Sequence, residues 1–251
     1  MPKVAYEEFT KSSVSSVLRL VEELKAAETK KGNKADFVFR GQSTDDELLP
    51  RITRLKPKGT LLAVEQLMLE EFERQMLPFA EFTPQDKWDL LALAQHHRLP
   101  TRLLDWSYSA LAALWFCVHQ GPKKDEHGNL LNGVVWVLKS ISDDFIKFPT
   151  SEDPFSQKKT RIFRPRVVSK RIMAQAGLFT CHRQTSKGQF IPLERNSNYK
   201  GRMVKITIPA GRFLTIREQL YASGVTDVAL FPDLEGLSRH LETRYFHLRK
   251  R

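Results

Sequence analysis

Two short segments concentrate the side chains that could do chemistry. The first is Phe39-Arg40-Gly41-Gln42, and the second runs from Gln95 to Trp106. Arg40 ends an apolar stretch, where a cation is costly unless an anion or several acceptors meet it. Its planar guanidinium suits a phosphate or carboxylate, and Gly41 allows a backbone or ligand to approach closely. We expect both segments to converge on one buried polar site. A structural salt bridge from Arg40 to a core carboxylate such as Asp105 fits the same pattern.

The second segment is dense in polar groups. Four of them fall where a helix is predicted to give way to a strand: His97, Thr101, Arg102 and Asp105. An almost wholly apolar helix follows at residues 109–118, so these groups lie beside the core and must satisfy one another or bind a ligand. The adjacent His96 and His97 lack partners at the spacing of metal ligands, so we expect no metal.

Two later segments add candidates. Gln175 and Gly177 precede a strand predicted at residues 178–181. Asp227 is predicted to open a strand over residues 228–230. Asp233 falls in the first turn of a helix, where the helix dipole explains an acidic side chain. Asp227 has no such local explanation, which makes it the better functional candidate.

The elements that must position these side chains follow from hydrophobic periodicity, capping residues and helix breakers. The predicted strands are residues 36–40, 134–138, 178–181, 203–208 and 228–230. The predicted helices are residues 6–28, 60–82, 83–97 with Thr83 as N-cap, 109–118, 210–223 ended by Gly224, and a C-terminal helix from Pro232. Residues 101–106 are predicted to be extended, and 139–165 to be loop-rich and exposed.

Helices and strands alternate without a strict βαβ pattern, so we expect an α+β fold with helices packed on a mixed or antiparallel sheet. No linker rich in proline, glycine or serine divides the chain. We therefore expect a single domain over residues 1–251, with its core at about residues 36–240.

The composition favours a polyanionic partner. The 251 residues carry a formal net charge of +11, with basic clusters that include residues 158–166 and 244–251. Nucleic acid is the partner we expect from this charge, although solubility alone would also explain it. No apolar run approaches the roughly 20 residues that span a bilayer, and the N-terminus has no apolar signal core. We predict a cytoplasmic protein without a membrane partner.

The two cysteines, Cys117 and Cys181, lie in apolar runs and are predicted to be small buried hydrophobes. The chain has neither a Walker loop nor the glycine pattern of a dinucleotide fold.

Taken together, these segments resemble the FRG domain family over roughly residues 36–240. The resemblance rests on Phe39-Arg40-Gly41, the Q-H-x-G-L-P-T-R-L-L-D-W pattern at Gln95–Trp106, the apolar helix at Ala112–Cys117, Arg171–Phe179 and Gly224–Gly236. Arg98 departs from the family pattern, which usually has a small residue there.

The order of these motifs also resembles that of ADP-ribosyltransferases. The resemblance implies a split sheet, NAD as substrate and no metal. It makes Arg40 the NAD anchor and places Gly41, Gln42, His97, Thr101 and Arg102 at the NAD site. It assigns catalytic roles to Arg40, Thr101 and Asp105, with Gln175 or Asp227 as the group that stabilises the ribose and Glu218 as a third candidate.

The resemblance further implies a toxin of bacterial anti-phage defence that modifies nucleic acid, RNA in preference to DNA, and is neutralised by an antitoxin protein. Phe163 and Tyr199, in a segment rich in arginine and lysine, are expected to stack on unpaired bases. Two alternatives remain: a noncatalytic module that binds a nucleotide or nucleic acid, and a metal-independent nuclease that uses His97 and Asp105.

Overall fold

The computed structural model describes residues 6–79, 82–148, 150, 152–166 and 170–248. Within them one sheet has the strand order β1-β7-β4-β2-β3-β6-β5. The strands are β1 (Tyr6–Thr10), β2 (Asp36–Gln42), β3 (Leu103–Ser107), β4 (Gly133–Ser140), β5 (Arg161–Phe163), β6 (Gly177–Cys181) and β7 (Met203–Ile208). All neighbouring strands pair antiparallel except β1 and β7, which are parallel. The predicted α+β class is confirmed.

The helices pack on both faces of this sheet. They are α1 (Val14–Lys30), α2 (Leu61–Met76), α3 (Lys87–His96), α4 (Ala110–Val118), α5 (Lys170–Ala174), α6 (Phe213–Ala222), α7 (Asp227–Leu230) and α8 (Leu234–Glu242). Helices α1, α4 and α6 share one apolar core with β2, β4 and β7, whereas α2 and α3 form a second core against β6. None of the described helices is long and apolar enough to cross a membrane.

The apolar character of α4 explains its central place. All but two of its residues are buried, and Ser109 caps its N-terminus by accepting a hydrogen bond from the Ala112 N–H. The helix lies on β2 so closely that a Cβ atom on Gly41 would stand 1.7 Å from the Ala113 carbonyl oxygen. Glycine is therefore required at this position for helix–sheet contact.

The sheet is almost divided between β2 and β3. Strand β2 pairs with β4 along its whole length, but with β3 only at Phe39 and Ser107. Beyond that pair β2 continues through Arg40 to Gln42 without a ladder partner in β3. The resulting gap lies beside the Arg40 side chain.

Several predicted elements differ from those observed. Residues 6–28 are not one helix, because Tyr6–Thr10 pair with β7 and Ser13 caps α1 through a capping box with Ser16. Residues 228–230 are not a strand: Thr226 caps the short helix α7 by accepting the Ala229 N–H. The third helix begins after Asp86 rather than Thr83, since the Asp86 carboxylate accepts the N–H groups of the first turn.

The predicted helix over residues 60–82 ends at Met76, and residues 80–81 lie outside the described residues. Residues 139–165, predicted as loop, include the end of β4 and the short strand β5. The ends of the predicted domain, 1–5 and 249–251, also lie outside the described residues, as does the end of the C-terminal basic cluster.

Candidate functional site

A cavity of about 380 Å³ opens where β2 and β3 separate. Its walls come from β2, β3, β6, α4 and the C-terminal end of α3. The polar side chains at its walls are those of Arg40, Arg51, Gln95, His96, Arg98, Asp105, Ser107, Arg171 and Gln175. The two segments singled out in the sequence therefore do converge on one site.

Arg40 bridges the gap in the sheet. Its Nη1 donates to the Asp105 carbonyl oxygen at 2.8 Å and lies 3.7 Å from the Asp105 carboxylate. The buried Nε has no hydrogen-bond partner among the described residues. Burial lowers the pKa of Arg40, and the nearby Asp105 carboxylate opposes this shift. The guanidinium stays charged at neutral pH, and a buried N–H remains unsatisfied.

A relay of hydrogen bonds fixes the Asp105 carboxylate. The Thr101 hydroxyl accepts a hydrogen bond from the Leu103 N–H at 3.1 Å. The same hydroxyl donates a hydrogen bond to Gln95 Oε1 at 2.7 Å. The Gln95 amide nitrogen consequently faces Asp105 and donates to its two carboxylate oxygens at 3.2 and 3.1 Å. Asp105 remains 60 % exposed, so its carboxylate is held in place and still open to a ligand.

Positive charge dominates the cavity. Among the described lining residues Asp105 is the only acid, against the four arginines Arg40, Arg51, Arg98 and Arg171. Arg171 is already paired with Asp233 at 2.6 Å and Glu235 at 3.0 Å, and these bonds raise its pKa. Arg98 also lies 3.8 Å from Glu235, so the excess of positive charge comes from Arg40 and Arg51 against Asp105, and it favours an anionic ligand.

Backbone strain is concentrated at the rim of the cavity. Arg98, with φ of 64°, and Ala176, with φ of 46°, are the two described non-glycine residues in the left-handed region. Arg98 follows the end of α3, where the Leu99 N–H donates to the Ala94 carbonyl at 2.9 Å. This is the helix-ending geometry that favours glycine, which accounts for the small residue usual at that position of the family pattern.

Gln175 also lies at the cavity. Its amide nitrogen donates to the Leu230 carbonyl at 3.1 Å, and its own carbonyl accepts the Ser107 hydroxyl at 2.6 Å. Both bonds hold the residue against the cavity wall. Thr101 is buried behind that wall and reaches the site only through Gln95.

Gly41 also lines this cavity, but five other predicted residues do not. Arg102, predicted to bind NAD, is fully buried and paired with Glu65 at 2.8 Å. Gln42 turns to the Asp46 carbonyl, and His97 lines the neighbouring cavities. Asp227 accepts the Tyr221 hydroxyl, and neither it nor Glu218 lines the cavity.

Gly41 and the two predicted stacking residues are also explained by packing. The backbone of α4 occupies the space where a Gly41 side chain would be, so close approach here serves helix packing. Phe163 and Tyr199 are buried in the core, each about 1 % exposed. Neither ring is available to an unpaired base.

Three polar side chains at the cavity, those of Gln95, Arg51 and Ser107, were given no role in the sequence analysis. Gln95 belongs to the recognised segment, but only the structure shows that it joins Thr101 to Asp105. Arg51 comes from a 3₁₀ turn at Arg51–Arg54 and donates to the Arg98 carbonyl at 3.1 Å. No local pattern in the sequence marks Arg51.

Among the described residues, no three His, Cys, Asp or Glu side chains are grouped as metal ligands would be. The buried thiols of Cys117 and Cys181 have pKa values raised by burial, that of Cys181 to about 12. Neither forms a reactive thiolate at neutral pH.

No curated protein and no solved structure matches the chain. A model of the FRG domain family matches residues 35–126, which include β2, β3, α3 and α4. The resemblance at Arg171–Phe179 and Gly224–Gly236 lies beyond that match and stays a prediction. The part of the chain that supplies Arg40, Gln95 and Asp105 to the cavity is thus similar to the FRG domain.

Proposed function

We propose that the cavity binds NAD and that the protein transfers ADP-ribose from NAD to a nucleic acid. One observation supports this most strongly: Arg40, with an unsatisfied N–H, and Asp105, with a fixed and accessible carboxylate, lie in the same cavity. The first suits a pyrophosphate, and the second suits the positive charge that develops on a ribose. The volume is within the range of small-molecule sites.

In this proposal Arg40 holds the pyrophosphate, and Arg51 and Arg98 add positive charge at the rim. As the bond between ribose C1′ and the nicotinamide nitrogen breaks, its electron pair leaves with nicotinamide. The ribose becomes cationic, and Asp105 stabilises it electrostatically. Gln95 and Thr101 act by holding the carboxylate in the orientation that the reaction needs.

Asp105 replaces Asp227 as the group proposed to stabilise the ribose. The Asp227 carboxylate is buried and bonded to Tyr221, away from the cavity. Gln175 lies at the cavity wall and is proposed to position the substrate, because its amide is anchored to Leu230.

A noncatalytic nucleotide-binding module would use the same cavity, and turnover of NAD separates the two possibilities. The nuclease alternative has weaker support, because His97 and Asp105 line different cavities.

The test uses NAD labelled in its adenylate phosphate, incubated with the protein and single-stranded RNA. We expect nicotinamide release and label on the RNA. Replacing Arg40→Gln should reduce both by about a hundredfold, because a positioned charge-assisted contact is lost. The activity of Arg40→Lys should lie between those of the wild-type protein and Arg40→Gln, since lysine keeps the charge but lacks the planar guanidinium that donates two hydrogen bonds at once.

Arg19→Gln is the matched control, because Arg19 is 82 % exposed on α1 and pairs with Glu23 outside the cavity. Far-UV circular dichroism should show all variants folded. Unchanged transfer by Arg40→Gln would contradict the anchor role. Retained NAD binding without turnover would instead identify a noncatalytic module.

The toxin role, the part in anti-phage defence and the neutralising antitoxin follow from this activity as further proposals. Expression in bacteria should arrest growth, and Arg40→Gln should relieve the arrest. Equal growth arrest by the wild-type protein and this variant would show that toxicity does not depend on the cavity.

A further inference from the structure

A second cavity of about 550 Å³ adjoins the Arg40 cavity. The two share His96, Arg98 and Arg171 as lining residues. The two cavities therefore meet at these side chains. This arrangement is the one that a transfer between two bound molecules requires.

The second cavity combines aromatic and cationic side chains. Phe79 and Phe82 lie on one side, and Lys170 and Arg98 supply positive charge. Asp233 and Glu235 also line it; both bond Arg171, and Glu235 lies 3.8 Å from Arg98, so Lys170 supplies the excess of positive charge. The Phe79 side chain is 85 % exposed, so its ring is open to a planar partner. An exposed ring beside cations is the combination that binds single-stranded nucleic acid.

His96 stands where the cavities meet. Burial is the main cause that lowers its pKa to about 4, and the neighbouring His97 and Arg171 contribute, while Asp233 and Asp105 oppose the shift. The imidazole is neutral at physiological pH, and so weak a base takes a proton only from a strongly acidic group, such as the cationic adduct that forms when the acceptor bonds to ribose C1′. A neutral ring also avoids placing another positive charge beside a cationic ribose.

We propose that the second cavity binds an unpaired nucleotide of single-stranded RNA as the acceptor, with its base on Phe79 and its reacting N–H or O–H directed at His96. This inference rests on the proposed function for its chemistry. Phosphates contact Lys170 and Arg98. The net charge of +11 favours an RNA over a neutral or basic protein acceptor.

The step balances without a further reactant. A nitrogen or oxygen of the acceptor base forms a bond to ribose C1′ as the bond from C1′ to the nicotinamide nitrogen breaks. The electron pair of the broken bond leaves with neutral nicotinamide. The acceptor loses one proton to His96, which releases it to solvent.

Binding is measured first, because it does not depend on NAD chemistry. The probe is a fluorescein-labelled single-stranded RNA of mixed sequence, followed by fluorescence anisotropy. Phe79→Ala should weaken binding roughly tenfold, because stacking on the ring is lost. Lys170→Ala should weaken it and reduce its salt dependence. A duplex of the same sequence should bind less tightly, since its bases are already stacked.

Leu130→Ala is the control for Phe79→Ala, since Leu130 is an apolar side chain that is 51 % exposed and lies outside both cavities and outside the basic clusters. Lys187→Ala controls for Lys170→Ala at another exposed position. The acceptor site would be overturned if a variant and its control weakened RNA binding equally. It would also be overturned if Phe79→Ala had no effect on RNA binding, or if the duplex bound more tightly than the single strand.

Transfer is measured second, as the ratio of label on RNA to total nicotinamide released. His96→Ala should lower this ratio by about a hundredfold, because proton acceptance is lost while water still reacts with the ribose. His96→Gln should restore part of it through its amide oxygen. An unchanged ratio in His96→Ala, or label found on protein rather than RNA, would overturn the proposal.

Failure of the two proposals can be distinguished. RNA binding that depends on Phe79 without any nicotinamide release would contradict the proposed function and retain the RNA site. Nicotinamide release with RNA binding insensitive to Phe79 would retain the proposed function and reject the acceptor site.

Discussion

At the scale of single residues, Arg40 substitutes for a missing main-chain contact. Its Nη1 donates to the Asp105 carbonyl across the gap between β2 and β3, where a ladder hydrogen bond would otherwise lie. The guanidinium has more donors than this contact uses. A residue that closes the sheet can therefore also hold a ligand.

Thr101→Val tests the relay behind Asp105. The variant removes a hydroxyl that accepts the Leu103 N–H and donates to Gln95. We expect the free energy of unfolding to fall by about 1–3 kcal/mol, because a buried N–H loses its acceptor. Urea unfolding measures this loss. Thr10→Val, on the exposed part of β1, should change stability by less than about 0.5 kcal/mol. Similar losses in both variants would argue against the relay.

Arg98→Gly should stabilise the fold. Arg98 has φ of 64°, and a non-glycine residue held in that region costs on the order of 1 kcal/mol. Glycine removes that strain, so thermal unfolding should shift upward. Nucleotide affinity should fall, because the cavity loses a cation. Ala26→Gly, in an exposed part of α1, should destabilise by about 1 kcal/mol. A loss of stability in Arg98→Gly would contradict the strain argument.

At the scale of elements, the site depends on how closely α4 lies against β2. Helix α4 is nearly all buried, and its backbone passes Gly41 without room for a side chain. Its contact with β2 holds that strand, and therefore Arg40, at the gap in the sheet. The close packing of helix on strand thus helps to position the cation.

Gly41→Ala should force α4 and β2 apart. The added methyl group would lie 1.7 Å from the Ala113 carbonyl oxygen, a backbone atom that cannot move alone. We expect a loss of about 3 kcal/mol or more in the free energy of unfolding. Gly121→Ala, where a Cβ meets nothing within 4 Å, should be close to neutral. Equal stability of the two variants in urea unfolding would show that α4 tolerates displacement.

Glu65 and Arg102 join α2 to the start of β3 in the interior. Both side chains are about 1 % exposed, and Glu65 also accepts the Arg102 N–H at 2.7 Å. Glu65→Ala and Arg102→Met should each cost about 3–5 kcal/mol, because each leaves a buried charge unpaired. The double variant should cost less than the sum. Glu71→Ala, which breaks an exposed pair with Arg74, should leave stability nearly unchanged. Additive losses would show that the pair is not coupled.

At the scale of the whole molecule, the fold keeps neutral imidazoles close to buried cations. His182 is fully buried, and burial, with Arg40 and Arg102 nearby, lowers its pKa to about 3. Its Nε2 pairs with the Thr180 hydroxyl at 3.1 Å. The native state holds this ring neutral, whereas the unfolded chain protonates it at an ordinary pKa near 6.5.

Stability should therefore fall as the pH is lowered below about 6.5, since only the unfolded state takes up the proton until the pH nears the native pKa. His182 contributes about 1.4 kcal/mol per pH unit to this loss of unfolding free energy within that window. His182→Gln should flatten the slope of unfolding free energy between about pH 5 and pH 6 by that amount. His127→Gln, in an exposed turn, should leave it unchanged. An unaltered slope in His182→Gln would contradict the neutral native ring.

Local patterns predicted much of this molecule. The strands at β2, β4, β6 and β7 and the helices α4 and α6 were predicted nearly in place, because their hydrophobic periods and caps lie within each element. Arg40 and Asp105 were likewise identified as candidate site residues, because a charged group beside an apolar segment needs a partner.

Tertiary structure decided the rest. Residues 6–10 are a strand because they pair with β7, almost two hundred positions away. Arg102 is structural because Glu65 of α2 reaches it, and Asp227 is outside the cavity lining because it is buried at the start of α7 and bonded to Tyr221. The cavity itself exists because β2 and β3 pair at one position and then separate. The chain's own residues predict which groups need partners, but long-range strand pairing and helix packing determine which partner each one meets.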